Sequence, residues 1–143
     1  MRALVQRVSR ASVSVGGERL AAIGPGLLVL LGVAGSDGPD QADRLADKVR
    51  ALRVFADADG RMNAPLGERD VLCVSQFTLY GDARRGNRPS YAAAARPEQA
   101  EPLYERFCDR LGAARGRFGA HMAVELVNDG PVTLLLDTGS DPL

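Results

Sequence analysis

The sequence has few of the side chains on which enzymes most often rely for acid–base, nucleophilic or metal chemistry. It contains one histidine and two cysteines in 143 residues. Cys73 and Cys108 belong to no CxxC motif and have no neighbouring histidine pair, so they do not form a metal site. We expect two small buried side chains with free thiols, as in a reducing compartment. The P-loop, GxGxxG, HExxH and GxSxG motifs are missing as well, so the common signatures of nucleotide binding, zinc proteolysis and serine hydrolysis are absent.

The single histidine gives no good case for a catalytic triad. A Ser-His-Asp triad would have to use His121. Its surroundings, FGAHMAVEL at residues 118–126, favour an ordinary strand or surface position. DADGRMN at residues 57–63 opens like a calcium-binding loop but lacks the later ligands and the final glutamate. We therefore expect no metal ion and no cofactor.

Charge and hydropathy exclude further classes of protein. Lys and Arg number 18, as do Asp and Glu, so there is no overall basic field to attract nucleic acid. A local basic loop can still contact RNA. The longest apolar stretch, GPGLLVLLGVAG at residues 24–35, is shorter than the roughly 20 residues of a membrane helix. The first residues, MRALVQRVSRA, lack the apolar centre of a signal peptide. We expect a cytoplasmic protein without a membrane partner.

The periodicity of the chain indicates one domain of mixed α and β structure, spanning residues 1–137, followed by a tail at 138–143 whose end, GSDPL, we expect to be frayed. Gly16 and Gly17 separate two alternating segments, as in a two-residue hairpin. Alternation and apolar runs predict strands at residues 2–9, 11–15, 18–24, 27–33, 53–57, 70–80, 117–127 and 132–137.

Two segments have helical spacing instead. In the first, Ala42, Leu45, Ala46, Val49 and Leu52 recur on one face, with Ser36 or Asp37 as the N-cap and Pro39 in the first turn. In the second, residues 96–112, Pro102 suggests that the helix begins near Gln99. The order of elements predicts an α/β fold in which a curved, antiparallel-rich sheet or partly closed barrel carries the helices on one side, in β/β/α layers.

Three polar stretches are candidates for the functional site. SQFTLY (75–80) ends a buried strand with hydroxyl and amide groups, although Ser75 and Thr78 have no obvious base as nucleophiles. DARRGNRPS (82–90) carries three arginines that can meet phosphates. NDGPVT (128–133) places Gly-Pro between two strand-like segments, where proline cannot donate to a sheet ladder. Taken alone, these stretches are equally compatible with a strand cap, a solvated loop and a rigid turn.

Together these stretches resemble one family. MRALVQRVSRASVSV, IGPGLLVLLGV, SQFTLYGDARRGNRPS, AEPLYERF and LVNDGPVTLLLD are similar, in order and spacing, to D-aminoacyl-tRNA deacylases across residues 1–137. SQFTL at 75–79 and NDGPVT at 128–133 are the most specific of these motifs. The resemblance implies hydrolysis of the ester that joins a D-amino acid, or glycine, to the 3′-terminal adenosine of tRNA. It further implies a homodimer whose active sites lie at the subunit interface.

The resemblance also implies roles for particular residues. Gly130-Pro131 is expected to be a cis peptide that reaches into the partner's site and excludes L-amino acids. Arg7, in VQRV, is expected to hold that peptide. The family's FGADM is FGAHM here, so His121 is a departure. The site residues implied are Ser75, Gln76, Phe77 and Thr78 for catalysis, and Gly130, Pro131, Arg7, Asn128 and Met122 for substrate binding and chiral selection.

Physical reasoning agrees with these roles. A site that accepts many different side chains but only one enantiomer is best built from rigid backbone placed close to the α-carbon of the substrate. Glycine lets the backbone come that close because it has no side chain. The ester is already activated, so the N–H groups of Gln76 and Phe77 can serve as an oxyanion hole, with the ribose 2′-hydroxyl relaying a proton. We rank attack by water above Thr78 as nucleophile. Phe77 is expected to pack on adenine.

The basic loop is the candidate for contacting tRNA phosphates, through Arg84, Arg85 and Arg88. Two other functions remain open from the sequence. One is a related deacylase that edits an L-aminoacyl-tRNA, which Arg7 disfavours. The other is a non-catalytic dimer that binds RNA ends.

Overall fold

In the computed structural model, which describes residues 1–140 and 143, the long strand β1 (Arg2–Val15) organises the sheet. Along one edge it pairs antiparallel with β3 (Gly26–Gly32) and then with β2 (Glu18–Ile23); along the other edge it pairs with β8 (Ala123–Asp137). Gly16 and Gly17 form the predicted hairpin turn between β1 and β2. Because β1 pairs first with β3 and then with β2 along the same edge, the sheet bends into a nearly closed barrel.

The remaining strands extend the sheet on the β3 side. β6 (Asp70–Ser75) runs parallel to β3, and the short β7 (Ala114–Arg115) runs parallel to β6. A separate two-stranded sheet joins β4 (Phe55–Ala56) to β5 (Met62–Ala64). The short 3₁₀-helix Phe77–Tyr80 follows β6 directly.

Alternating side chains of β3 and β6 divide the core in two. Val29 and Cys73 lie in the cluster shared with the helices, whereas Leu28 and Leu72 lie in a second cluster within the bent sheet, and all four are buried. Each fully buried aliphatic side chain contributes about 1.5–3 kcal/mol. Because β3 packs against one cluster on each of its faces, residues 27–33 form an uninterrupted apolar run.

Helices α1 (Pro39–Ala51) and α2 (Pro97–Leu111) pack against each other on one side of the sheet. Arg106 and Arg110 of α2 form ion pairs with Asp43 and Asp47 of α1. The expected fold class, a curved sheet with helices on one side, is confirmed. No helix in the described part of the chain is both long and apolar enough to span a membrane.

Both predicted helix starts need correction. The N-cap of α1 is Gly38, not Ser36 or Asp37: the Gln41 side chain accepts a hydrogen bond from the Gly38 N–H, and Asp37 instead accepts one from the Ala34 N–H. Helix α2 begins at Pro97, with Pro102 inside it. Proline is well suited to the first helical position. Pro97 therefore decides the start, and the helix accommodates the hydrogen bond that Pro102 cannot donate.

The predicted strands at 117–127 and 132–137 are one strand, β8, which begins only at Ala123. Its two halves pair with the same strand in the same direction: Leu126 lies opposite Ala11, and Leu135 opposite Leu4. The chain therefore does not reverse at Gly130-Pro131, and of the alternatives left open by the sequence, a rigid turn that joins two strands is not what the structure has here.

In the tail, Gly139 and Ser140 donate backbone hydrogen bonds to Asp137, so they are not frayed in this structure. The remainder of the predicted frayed end includes residues 141 and 142, which lie outside the described residues.

Candidate functional site

The SQFT stretch (Ser75–Thr78) lies where β6 ends and the 3₁₀-helix begins. The Gln76 N–H donates to the Leu31 carbonyl at 2.8 Å, extending the ladder between β6 and β3 by one hydrogen bond. Beyond it, the Leu79 N–H donates to the Gln76 carbonyl at 3.2 Å. The turn packs closely on Gly32: a Cβ there would lie 3.1 Å from the Gln76 oxygen and from Leu79 Cβ. Glycine at this position thus lets the motif sit directly against β3.

The backbone donors of this stretch differ from those expected. Because the Gln76 N–H is already bonded to Leu31, it is not available to an oxyanion in this structure, which corrects the expected pair of donors. The N–H groups of Phe77 and Thr78 have no backbone acceptor among residues 1–140 and 143. These two neighbouring donors can therefore receive a developing negative charge.

The side chains of the stretch offer no strong base. The Gln76 amide donates a hydrogen bond to the Thr78 hydroxyl. Within the described residues no titratable side chain is hydrogen-bonded to Thr78 or to Ser75, so neither hydroxyl has the partner that would activate it. Phe77 is 58% exposed, and its ring meets the Tyr91 ring edge-on with centroids 5.1 Å apart. A ring that is more than half exposed and has one neighbouring ring in this arrangement leaves a face free for a ligand.

Arg2 and Asp137, which the sequence did not single out as site residues, hold the end of the 3₁₀-helix. Arg2 Nη1 donates to the Leu79 carbonyl at 2.8 Å, and Arg2 Nε donates to Asp137 at 2.9 Å. The same guanidinium lies 4.5 Å from the centroid of the Tyr80 ring. Burial raises the pKa of Tyr80, helped by the charges of Asp37 and Asp137, so the phenol stays protonated. Arg2 and Asp137 are directly paired across β1 and β8, a proximity that only the fold creates.

The NDGPVT stretch forms a bulge in β8. Gln6 lies opposite Thr133, and Val8 lies opposite Asn128, so four residues of β8 stand opposite Arg7 alone. The Asn128 side chain closes the base of the bulge, since its amide nitrogen donates to the Thr133 hydroxyl at 3.0 Å and its oxygen accepts from the Val132 N–H at 3.3 Å. We call residues 129–132 the Gly-Pro bulge.

The side chain of Arg7 holds this bulge in place through hydrogen bonds. Its Nε donates to the Asp129 carbonyl at 3.1 Å, and its Nη1 donates to the Val54 carbonyl at 2.7 Å. The Arg7 side chain is only 18% exposed, and its hydrogen bond to Val54 is partly buried, whereas the one to Asp129 is exposed. Gly130 has a φ of +129°, and a Cβ there would lie 3.0 Å from Arg7 Nη2. Only glycine fits between the guanidinium and the chain in this conformation.

The Gly130–Pro131 peptide bond is cis, as the resemblance implies, and both residues are exposed. Across the sheet, the order β8–β1–β3–β6 places the bulge three strands from Ser75. Along the strands, Arg7 lies four residues beyond Ala3, which is level with Leu31 and Ser75. Measured along the sheet, the two motifs of one chain are roughly 15–20 Å apart.

Met122 and His121 precede β8. Met122 is partly buried beside Gly116, where an added Cβ would lie 2.6 Å from its sulfur, and the Gly116 N–H donates to the Cys73 carbonyl, two residues before Ser75. The fold thus brings Met122 towards the SQFT stretch rather than the bulge of its own chain. His121 is exposed, in keeping with the expected surface position.

The basic loop contains an internal ion pair. Arg84 is 87% exposed, yet it binds Asp82 through Nε and Nη2 at 2.9 and 2.6 Å. The hydrogen bonds from Arg84 lower the pKa of Asp82 to about 2, so this carboxylate stays ionised at any physiological pH. Arg85 and Arg88 have no hydrogen-bond or ion-pair partner among residues 1–140 and 143.

Two further features bear on the site. Among the described residues no group of three or more His, Cys, Asp or Glu side chains is placed to hold a metal ion. A cavity of about 600 Å³ lies between β2 and β8, lined by Arg10, Ser12, Arg19, Glu125 and Leu126 among others. The SQFT stretch does not line this cavity; its Phe77 and Thr78 are exposed, whereas Ser75 and Gln76 are half-buried.

Comparison with known proteins adds sequence relatives over nearly the whole chain. Residues 4–137 match the family described as D-Tyr-tRNA(Tyr) deacylase. A D-aminoacyl-tRNA deacylase of Symbiobacterium thermophilum is 61% identical over 96% of this chain and 96% of its own. One from Desulforudis audaxviator is 55% identical over 96% of this chain and 97% of its own.

Solved structures have the same fold. One, described as c-Myc DNA Unwinding Element Binding Protein, superposes with a TM-score of 0.91 at 42% identity, covering 96% of this chain and 99% of that one. Another, described as a probable eukaryotic D-amino acid tRNA deacylase, gives a TM-score of 0.81 at 15% identity, covering 94% of this chain and 97% of that one. The second likeness concerns the fold alone.

Proposed function

We propose, because this chain belongs to the D-Tyr-tRNA(Tyr) deacylase family, that it hydrolyses the ester bond of D-aminoacyl-tRNA at a site that two copies of the chain complete together. As a member of this family the protein is a hydrolase, a D-aminoacyl-tRNA deacylase. The products are a free D-amino acid and tRNA. Since its substrate is tRNA, we place the enzyme in the cytoplasm.

The proposal that two copies of the chain form one site rests on the distance between the two motifs. Phe77 and Thr78 of the SQFT stretch and Gly130-Pro131 of the bulge are exposed, yet roughly 15–20 Å separates the two motifs along the sheet of one chain. The ester carbon and the α-carbon of an aminoacyl group are directly bonded, so one chain cannot readily serve both with these two motifs. A second copy that docks its bulge against the SQFT stretch would bring the two motifs together at one aminoacyl group.

The surface around the bulge supports such a dimer. Strand β8 leaves four large apolar side chains partly exposed on the two sides of the bulge, with Leu135 at 57%. They are Leu126, Val127, Leu134 and Leu135. Apolar side chains on an exposed strand are a liability for a monomer, and pairing with a second copy would cover them.

In the proposed reaction, water attacks the ester carbonyl while the oxygen of that carbonyl receives hydrogen bonds from the N–H groups of Phe77 and Thr78. A preorganised pair of donors of this kind typically contributes several kcal/mol to the transition state. The ribose 2′-hydroxyl of the substrate relays the proton to the leaving 3′-oxygen. The ring of Phe77 packs on the adenine base, since unpaired bases are commonly held by aromatic stacking.

Chiral selection belongs to the Gly-Pro bulge of the partner. Arg7, Asn128 and the narrow space around Gly130 fix the backbone of the bulge. A fixed main chain placed against the α-carbon rejects the L side chain by steric conflict, whichever amino acid carries it. Glycine has no side chain to reject, so glycyl-tRNA is expected to be a substrate too.

Contacts to the tRNA acceptor stem are proposed for Arg85 and Arg88, which have no partners among the described residues. Arg84 contributes less because it is ion-paired with Asp82. A chain without net charge suits an enzyme that holds mainly the 3′ end and must release its product.

Two other functions make different predictions. An editing deacylase for L-aminoacyl-tRNA would spare the D substrate, and a non-catalytic nucleic-acid-binding dimer would release no amino acid from either. The likeness to a protein described as binding a DNA unwinding element gives the second alternative its one specific observation.

Incubating the purified protein with D-Tyr-tRNA and with L-Tyr-tRNA separates the three. We expect release of D-tyrosine with little hydrolysis of the L substrate; hydrolysis of the L substrate alone, or of neither, would remove the proposal. In the same assay, Thr78→Ala should retain turnover. Complete loss with adenosine binding intact would restore Thr78 as the nucleophile.

A further inference from the structure

We propose that Arg2 is a positioning residue for hydrolysis, fixing the 3₁₀-helix Phe77–Tyr80 so that the Phe77 and Thr78 N–H groups point towards the substrate carbonyl. This inference rests on the proposed function, because it concerns the same site. It assigns Arg2, Asp137 and Tyr80 to that site, although none of them belongs to the SQFT stretch or the Gly-Pro bulge.

The Arg2 side chain bridges three elements at once. Its guanidinium donates to the Leu79 carbonyl at 2.8 Å and to Asp137 at 2.9 Å, and it lies 4.5 Å from the centroid of the Tyr80 ring. Leu79 and Tyr80 belong to the 3₁₀-helix, while Arg2 and Asp137 are opposed residues of β1 and β8. The end of the 3₁₀-helix is thereby joined to the edge of the sheet.

Asp137 is itself held in place, which makes the bridge rigid. Its other oxygen, Oδ1, accepts the Gly139 N–H at 2.8 Å. Desolvation acts to raise the pKa of Asp137, but the hydrogen bonds from Gly139 and Arg2 outweigh it and the pKa is lowered, so the carboxylate remains charged at neutral pH. A planar guanidinium with several donors can satisfy two acceptors in fixed directions, which the single ammonium of lysine cannot reproduce.

The bridge lies one hydrogen bond away from the proposed catalytic donors. The Leu79 N–H bonds to the Gln76 carbonyl, closing the turn that contains Phe77 and Thr78. The turn also packs closely on Gly32, where an added Cβ would lie 3.1 Å from the Gln76 oxygen and from Leu79 Cβ, so it has little room to move towards β3. Arg2 restrains the opposite end of the turn, so both sides of the donor pair are fixed.

A role in binding tRNA phosphate is the other way to use an arginine here. Arg2 is disfavoured for it because its side chain is only 35% exposed and its guanidinium already contacts Leu79, Asp137 and the Tyr80 ring. A phosphate contact would act on affinity and on its salt dependence. A positioning role acts on kcat, because donor direction matters in the transition state.

Arg2→Ala tests this role, with Arg106→Ala as the matched control. Arg106 also donates twice to an aspartate, Asp43, but it joins the two helices away from the site. For Arg2→Ala we expect kcat on D-Tyr-tRNA to fall about 10- to 100-fold with KM changed less than about twofold, since small misplacements of catalytic groups cost about that much. Arg106→Ala should retain the wild-type kcat, and Arg2→Lys should recover only part of the loss.

Hydrogen exchange gives a readout that does not depend on activity. Among residues 77–81, the amides of Leu79 and Gly81 are hydrogen-bonded within the turn, so these two should exchange faster in Arg2→Ala than in the wild type, and no faster in Arg106→Ala. An unchanged kcat, a rise in KM with a weaker salt dependence, or an equal loss in both variants would overturn the proposal. If the wild-type protein itself fails to hydrolyse D-Tyr-tRNA, the proposed function fails, while the exchange of residues 77–81 still decides whether Arg2 holds the turn.

Discussion

Phe77 combines two contributions that substitution can separate. Its backbone N–H is one of two donors at the start of the 3₁₀-helix that have no backbone acceptor in the described part of the chain, and its exposed ring offers a face to a base. Proline is tolerated at the first position of a helix and removes the N–H. Gln76, with φ of −145° and ψ of 77°, is outside the helical region, as a residue before proline should be.

We predict that Phe77→Ala raises KM about tenfold and leaves kcat within a few-fold, because stacking of a base contributes about 1–3 kcal/mol. Phe77→Pro should lose the ring and the donor together, so its kcat falls about 100-fold below that of Phe77→Ala. Steady-state kinetics on D-Tyr-tRNA measure both. Equal kcat values for the two variants would show that this N–H is not a catalytic donor.

Arg7 determines selectivity in this account rather than rate. It donates to the Asp129 carbonyl immediately before Gly130 and is anchored at Val54 on the other side. Hydrogen bonds from a charged donor contribute about 1.5–3 kcal/mol. Their loss should therefore allow the bulge to move by enough to admit an L side chain.

For Arg7→Ala we predict that the ratio of kcat/KM for D-Tyr-tRNA over L-Tyr-tRNA falls at least about tenfold, mainly through faster hydrolysis of the L substrate, in line with the free energy of the lost bonds. Arg53→Ala, an exposed arginine beside Val54, is the control and should keep the wild-type ratio. Loss of D activity with no gain in L activity would instead make Arg7 a contributor to rate.

Within the basic loop, the three arginines are not equivalent. Asp82 has its pKa lowered to about 2 by Arg84, so the ion pair is present above the ordinary pKa of aspartate and is lost only as the pH falls towards 2. Across physiological pH, Arg84 is thus partly neutralised within its own loop, whereas Arg85 and Arg88 remain available.

We predict that Arg85→Ala and Arg88→Ala each weaken tRNA binding and each reduce the slope of log K against log salt by about 0.9, the value for one duplex phosphate. Arg84→Ala should change the slope by less than about 0.3 on the same scale. Binding measured at several salt concentrations checks this. A slope change at Arg84 as large as at Arg85 would mean that tRNA displaces Asp82.

How far the sequence predicts each element depends on whether the deciding interaction is local. Gly16-Gly17 specifies its hairpin alone, and the apolar run at 27–33 specifies a strand buried on both faces. The Gly-Pro bulge could not be predicted from turn rules, because its form depends on the register of β8 against a strand more than a hundred residues earlier. The role of Arg2 could not be predicted for the same reason, because its partners come into contact with it only in the folded sheet.

The candidate site divides in the same way. Its motifs, SQFT and NDGPVT, could be located from the sequence, and so could the support that Arg7 gives to the bulge, through family resemblance. The occupied N–H of Gln76 could not, since the bond to Leu31 requires the parallel pairing of β3 and β6. Donor geometry is therefore what the fold adds to the motif.

For the protein as an assembly, we propose that the Gly-Pro bulge of one copy selects substrate for the SQFT stretch of the other. The apolar side chains beside the bulge and the distance between the motifs within one chain both support it. In such a dimer, selectivity and catalysis at one site come from different chains, which no single-chain arrangement allows.

A heterodimer of Arg7→Ala and Phe77→Pro subunits, purified through two different tags, tests this most directly. The Phe77→Pro subunit carries an impaired SQFT stretch but an intact bulge; the Arg7→Ala subunit carries the reverse. We predict that the heterodimer hydrolyses D-Tyr-tRNA at about half the wild-type rate and rejects L-Tyr-tRNA, because its working site receives the intact bulge from the partner. Hydrolysis of both substrates, as in the Arg7→Ala homodimer, would place the bulge and the catalytic stretch in the same chain and contradict the account.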